Sequence, residues 1–202
     1  MLGSMDTNTL LDKTAIRDVV ESWALWRDAG EWERLHTTFH PGAIFKATWF
    51  HGPFERFVEL SAEMLRRGGK SIHFLGGATV DVVGNRALSI TKMQILSRSV
   101  LDGVEVDVCC NGRFYDRFEK RAGEWRIAFR DCIYDKSRVD PVEPGAAVPL
   151  DASLLQSFPE GYRHLTYAQS KRGSTITPGL ATARGPEVEA LYALGREWLG
   201  AK

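Results

Sequence analysis

The chain has 202 residues, 26 of them acidic and 26 basic, so its formal charge is zero and its isoelectric point is near neutral. Hydrophobic residues make up 44% and charged residues 26%, a globular balance with no basic surplus to neutralise phosphates, which argues against a nucleic-acid partner. No apolar run approaches the roughly 20 residues that cross a bilayer, and no secretory signal opens the chain, so a cytoplasmic protein without a membrane partner is expected.

The opening MLGSM reads as a vector-derived start before a second methionine, Met5, and Met1–Ser4 are set aside. From Leu10 to Ala29, apolar residues at three-to-four spacing (Ile16, Val19, Val20, Trp23) predict an amphipathic helix, capped by Asp12 or Thr14 and ended by Gly30. A short helix over Glu31–Thr38 follows, then a turn at His40-Pro41-Gly42 and a strand over AIFKATWF. PFERFVELSAEMLRR predicts a third helix closed by Gly68-Gly69. Four long strands come next: SIHFLGGATVDVV, RALSITKMQILSRSV, VEVDVCCNGRFYDRFEKR and EWRIAFRDCIYD. The short loops between them favour antiparallel hairpins. Ser89, Thr91, Gln94 and Ser97 suggest a polar sheet face turned to the helices or to a partner subunit. Asp140–Pro149 reads as a strap, followed by helical segments near Ala152–Ser157 and Glu187–Leu199.

Helices first and a meander of strands afterwards predict an α+β fold, a curved antiparallel sheet with helices packed on one face. The chain divides at residue 138, and the last 60 or so residues, 139–202, form an extension wrapping the same domain.

Chemistry needs titratable groups. Among the five histidines, His36, His40 and His51 are placed on the surface, whereas His73 lies in an apolar strand between Ile72 and Phe74. Asp28 ends the first helix, where a carboxylate meets the negative end of the macrodipole. Arg130 follows an apolar strand run and reads as an ion-pair member beside Asp131 or another neighbour. Trp23, Trp49, Phe54 and Phe114 either line a pocket or pack a core, and Cys110 shares the strand face of Phe114. Three cysteines, Cys109, Cys110 and Cys132, are too few and too oddly spaced for a disulfide framework or a zinc site, so no metal is expected.

The motifs AIRDVVESWALWRDAGEWERL, SIHF and GRFYDRFEKRAGEWRIAFR, in this order, resemble the SnoaL-like branch of the nuclear transport factor 2-like superfamily. That group contains scytalone dehydratase and hexachlorocyclohexane dehydrochlorinase. The resemblance covers roughly Leu11–Asp135 and implies a cone-shaped sheet around an apolar cavity. It implies that His73 is a general base, that Asp28 fixes its tautomer, and that Arg130 faces a leaving group or an oxyanion. Trp23 stands where relatives often place a lysine or tyrosine. The resemblance further implies a cofactor-independent lyase, a dehydratase or related eliminating enzyme. Its substrate would be a small hydrophobic ring compound, and the enzyme a homo-oligomer, dimer or trimer. Rival readings are a binding protein of the same fold, an accessory subunit, and a carbon–carbon lyase of lignin-type aromatic catabolism that releases formaldehyde. Phe158–Gln169, with Tyr162, Arg163, His164 and Tyr167, is a strap or a lid over the cavity mouth.

Overall fold

The computed structural model describes residues 6–200, so the MLGSM start lies outside it. Helix α1 (Thr7–Ala29) begins three residues ahead of the predicted Leu10, because the Asp6 side chain accepts from Thr9 N at 3.0 Å and caps it. Asp12, the expected cap, instead sits on the flank of the helix and accepts from Lys120 Nζ at 2.8 Å and Trp125 Nε1 at 2.7 Å. Gly30, at φ +76°, ends α1 in the left-handed region, and α2 (Trp32–His36) follows.

Strand β1 (Phe39–Ala47) runs through His40-Pro41-Gly42, which is not the expected turn. His40 is buried rather than on the surface, its Nε2 against Glu119 O at 2.9 Å. The predicted strand AIFKATWF is divided, since the chain folds back at Thr48–Trp49 into β2 (Phe50–Pro53). Helix α3 (Phe54–Arg66) buries Phe54, Phe57, Val58 and Ser61. Then come the long strands β3 (Lys70–Val83), β4 (Arg86–Leu101), β5 (Val104–Arg121) and β6 (Glu124–Pro141).

The six strands form one sheet in the order β2-β1-β6-β5-β4-β3. All neighbours are antiparallel except β1 and β6, which run parallel, so the sheet is not wholly the meander expected. Register shifts at Gly76–Gly77 in β3 and at two points between β5 and β6 bend it into a curl. Helices α1 and α3 pack inside the curl.

Along β4 the odd-numbered side chains, including Ser89, Thr91, Ser97 and Ser99, are buried toward the inside of the curl. Of the two expected alternatives the first holds for Ser89, Thr91 and Ser97, which face the helix side, whereas Gln94 points outward, where it bonds Asn111 at 3.0 Å. Small hydroxyls line the interior.

The C-terminal residues add α4 (Ala152–Gln156), α5 (Arg163–Lys171) and α6 (Pro186–Leu199). Sequence periodicity does not reveal α5, whose apolar residues are few. Its Leu165, Tyr167 and Ala168, with the preceding Tyr162, join the same buried cluster as Trp23 and Phe45. Helix α6 packs on the other face of the sheet, where Val188 and Leu191 meet Leu88, Tyr115 and Ile133. Among the described residues no helix is long and apolar enough to cross a membrane.

Candidate functional site

Between the curl of the sheet, α1, α3 and the end of α5 lies a cavity of about 760 Å³. Its walls include Trp23 from α1, Phe57 from α3, His73 from β3, Phe114 from β5 and Tyr134 from β6. Such a volume suits a small organic molecule, and the wall is more apolar than polar, with Arg27, Arg98, Glu105 and Arg172 among its charged members.

Asp28 and His73 meet at the edge of this cavity. His73 Nδ1 lies 2.8 Å from Asp28 Oδ1, and the His73 backbone N–H donates to Asp28 Oδ2 at 2.5 Å. Arg27 Nη1 adds a third donor to the carboxylate at 3.1 Å and also reaches Ser71 O at 2.9 Å. The His73 side chain is only 8% exposed. Burial pushes its pKa below the ordinary histidine value; the Asp28 carboxylate pulls upward without reversing this, and Arg27 and Arg130 add to the lowering. Burial pushes Asp28 upward, but the His73 hydrogen bonds and the Arg27 charge outweigh it and leave the carboxyl below its usual value. At neutral pH the dyad is thus a carboxylate and a neutral imidazole. The imidazole carries its proton on Nδ1, bonded to Asp28, and has a lone pair on Nε2. No protein group among the described residues bonds Nε2.

Trp23 stands edge-on to the His73 ring, with centroids 5.2 Å apart, and also edge-on to Phe114 at 5.1 Å. Its Nε1–H is buried without a hydrogen-bond partner. Tyr134 Oη accepts from Thr48 N at 3.2 Å, and its hydroxyl also lies within reach of the Thr48 and Cys132 side chains. Burial raises the Tyr134 pKa well above the ordinary tyrosine value, so it remains a neutral donor.

Arg130 does not line the cavity. It lies behind the wall, fully buried, with its guanidinium 4.3 Å from the Trp23 ring centre and 4.0 Å from that of Phe114. Its Nε and Nη2 each donate to Asp116 at 2.7 Å, so its ion-pair partner is Asp116 and not Asp131. The charge is paired with the carboxylate and flanked by two rings, so it does not face the cavity as the resemblance implies, although its Nη1 is without a hydrogen-bond partner. A bulge explains the placement. Pairing shifts from Phe118↔Ile127 to Arg117↔Phe129, leaving Ala128 unpaired and turning Arg130 inward opposite Asp116.

Of the five predicted substrate-wall residues, Trp23, Trp49 and Phe114 line the cavity and Phe54 and Cys110 do not. Phe54 stacks on Phe39, centroids 3.7 Å apart, in the core beside α3. Cys110 is fully buried with its thiol toward Gly161 O at 3.9 Å. Cys132 does reach the wall, but burial pushes its thiol up to about 12, which leaves no thiolate at neutral pH. Among the described residues no three metal-ligating side chains are gathered.

Within Phe158–Gln169 it is Leu165 and Gln169 that touch the cavity. Tyr162 and Tyr167 are core residues, and His164 Nδ1 lies 3.3 Å from Ser137 Oγ. Sequence reasoning also missed Thr48, Tyr134 and Ser99 on the wall. The alternation of β4 and β6 carries a signal for the last two, once each strand's inward parity is fixed.

Residues 8–131 match the SnoaL-like domain, and the chain belongs to that family. It is 33% identical over 211 residues to the uncharacterized protein AN9274 of Emericella nidulans, spanning 96% of this chain and 89% of that protein. Among solved structures it resembles hexachlorocyclohexane dehydrochlorinase type 3 from Novosphingobium barchaimii LL02, with TM-score 0.58 and 16% identity, covering 72% of this chain and 100% of that one. A scytalone-dehydratase-like protein of Novosphingobium aromaticivorans DSM 12444 aligns with TM-score 0.56 and 16% identity, over 72% of this chain and 97% of its own. At such identities these two likenesses speak for the fold.

Proposed function

We propose that this SnoaL-like protein is a cofactor-independent lyase of the dehydratase type, acting on a small, hydrophobic, ring-bearing alcohol. The observation that carries the reading is the Asp28–His73 dyad at the wall of the cavity, with Nδ1 held at 2.8 Å and Nε2 unclaimed by the protein. A binding protein would need Asp28 to dock β3 on α1, but not a neutral imidazole whose Nε2 no protein group claims.

His73 Nε2 removes a proton from the carbon next to an activating group. The C–H electrons form the new C=C bond, the C–O bond breaks, and the hydroxyl leaves as water by taking the proton that His73 Nε2 now carries, which returns the imidazole to its neutral form. Asp28 stabilises the imidazolium formed in that step and keeps its ring in register. Trp23 Nε1–H is a donor available to substrate oxygens, including the one that leaves. Arg130 acts at one remove, as a positioning residue that stacks on Trp23 and Phe114 and whose charge favours neutral His73.

The test is a screen of β-hydroxy ketones fused to aromatic or alicyclic rings, reading loss of water by mass and growth of the conjugated absorbance. Turnover by the wild type and none by His73→Ala, with an unchanged circular dichroism spectrum, is the expected result. Equal turnover by the histidine variant overturns the assignment.

A further inference from the structure

The cavity has a second polar pole, remote from the dyad, that the elimination chemistry does not use. His73 is paired with Ile95 across β3 and β4, and Ser99 lies four residues further along β4, about 13 Å away at the rise of a strand. Ser99 and Gln169 both line the cavity, and each is 7% exposed. Ser99 Oγ and Gln169 Oε1 are buried without a hydrogen-bond partner. The two sit at the same end of the cavity. Two residues beyond Gln169, Lys171 bonds Asp102 at 3.2 Å, in the β4–β5 turn that begins three residues after Ser99.

Buried polar atoms are nearly always paired, yet among the described residues five of the cavity wall carry one that is not: Trp23 Nε1, Arg27 Nε, Ser61 Oγ, Ser99 Oγ and Gln169 Oε1. The last two lie together at the end away from the dyad and mark a place where a guest supplies the partners. Their chemistry defines the group. Gln169 Oε1 accepts and needs a donor, whereas the Ser99 hydroxyl can donate and needs an acceptor. A single hydroxyl meets both demands, and it still does if the Gln169 amide is turned over, because a hydroxyl also accepts. A carboxylate fits only the turned-over amide, whereas a hydroxyl fits either orientation.

We propose that Ser99 and Gln169 form a hydroxyl-recognition subsite that selects elongated ring compounds bearing a hydroxyl at the end opposite the reacting carbon. That this ligand is the substrate rests on the lyase reading; the binding preference does not. Two linked rings with an oxygen at each end have the required length, and one ring does not.

The tryptophans of the wall, Trp23, Trp32 and Trp49, give a fluorescence readout that needs no turnover. The probes are para,para′-biphenol, with a hydroxyl at each end, and para-phenylphenol, with one. The wild type is expected to bind biphenol about tenfold more tightly, as for a hydroxyl that meets otherwise unpaired buried groups. Ser99→Ala and Gln169→Leu should bind the two probes alike, while Gln169→Glu, which keeps an acceptor oxygen, retains a preference. Equal affinity of the wild type for both probes, no binding of either, or an unchanged preference in both Ser99→Ala and Gln169→Leu overturns the subsite. Failure of the lyase reading shows separately, as turnover that survives His73→Ala.

Discussion

The Asp28 carboxylate holds His73 twice, through the ring at 2.8 Å and through the backbone N–H at 2.5 Å, although the residues lie 45 positions apart. One oxygen fixes the imidazole tautomer and the other ties the β3 backbone to the end of α1. The aspartate that looked ill placed at a helix C-terminus is compensated by these donors and by Arg27. The geometry of the dyad and the docking of an edge strand therefore depend on one side chain.

That double contact predicts the effect of Asp28→Asn. An amide offers one acceptor oxygen, so it can take the ring N–H or the backbone N–H, and its NH₂ faces the other donor. Turnover should fall by about two to four orders of magnitude, and stability by about 1–3 kcal/mol. Imidazole NMR on the resting protein checks the cause. Without the carboxylate's upward pull, the His73 pKa should drop below its wild-type value.

The same shifts set the pH response. A base must be neutral to act, and His73 titrates below the ordinary 6.5, so kcat/KM should rise with pH along an acid limb lying under that value and then level off. Stability has the same sign. His73 and Asp28 both have lowered values, so the fold favours their deprotonated forms. Their contributions are present above the unfolded values, and are lost as pH falls through the folded ones. Melting temperature across an acid series measures this, and an acid limb above the ordinary histidine value would contradict it.

Arg130 and Asp116 form a fully buried pair, which makes single and double substitutions diverge. Arg130→Met strands a carboxylate in the core and should cost about 3–5 kcal/mol. Adding Asp116→Leu should recover most of that loss, because the double variant no longer buries an unpaired charge. Urea denaturation of the two singles and the double closes the cycle.

The sequence made some of this legible and concealed the rest for identifiable reasons. Periodicity and turn residues placed α1, α3 and the four long strands, since local pattern dominates there. The Asp28–His73 meeting was accessible only through the family resemblance, because it joins distant segments. The Arg130–Asp116 pair was hidden by register. The Ala122–Gly123 turn, extended without interruption, sets Asp116 opposite Phe129, and only the unpaired Ala128 moves Arg130 into place. Helix α5 escaped notice because its moderate apolar content gives little signal, yet it brings Gln169 to the cavity.

The outer face of β3 bears on assembly. Ile72 and Phe74 flank His73 in sequence and point the opposite way, 55% and 69% exposed. An apolar strip of this kind on an edge strand favours association, so the wild type should run as a dimer or trimer. Phe74→Lys should shift it toward monomer in light scattering without disturbing the dyad on the inner face. A monomeric wild type would remove the case for a homo-oligomer.

Helix α6 provides the complementary test, a loss of packing remote from the cavity. A Cβ added at Gly195 would lie 1.7 Å from the Tyr115 hydroxyl oxygen and 2.7 Å from its ring carbon. Tyr115 is itself buried against α6, so it has little room to yield. Gly195→Ala should therefore displace the helix and cost about 1–3 kcal/mol, the range for overpacking. Tyr115→Phe should relieve part of that cost, since it deletes the nearer of the two clashing atoms. The cavity lies across the sheet from α6, so probe binding by folded Gly195→Ala protein should match the wild type. A weakened affinity at full folding would instead mean that α6 sets the curl of the sheet and, through it, the spacing between His73 and Ser99.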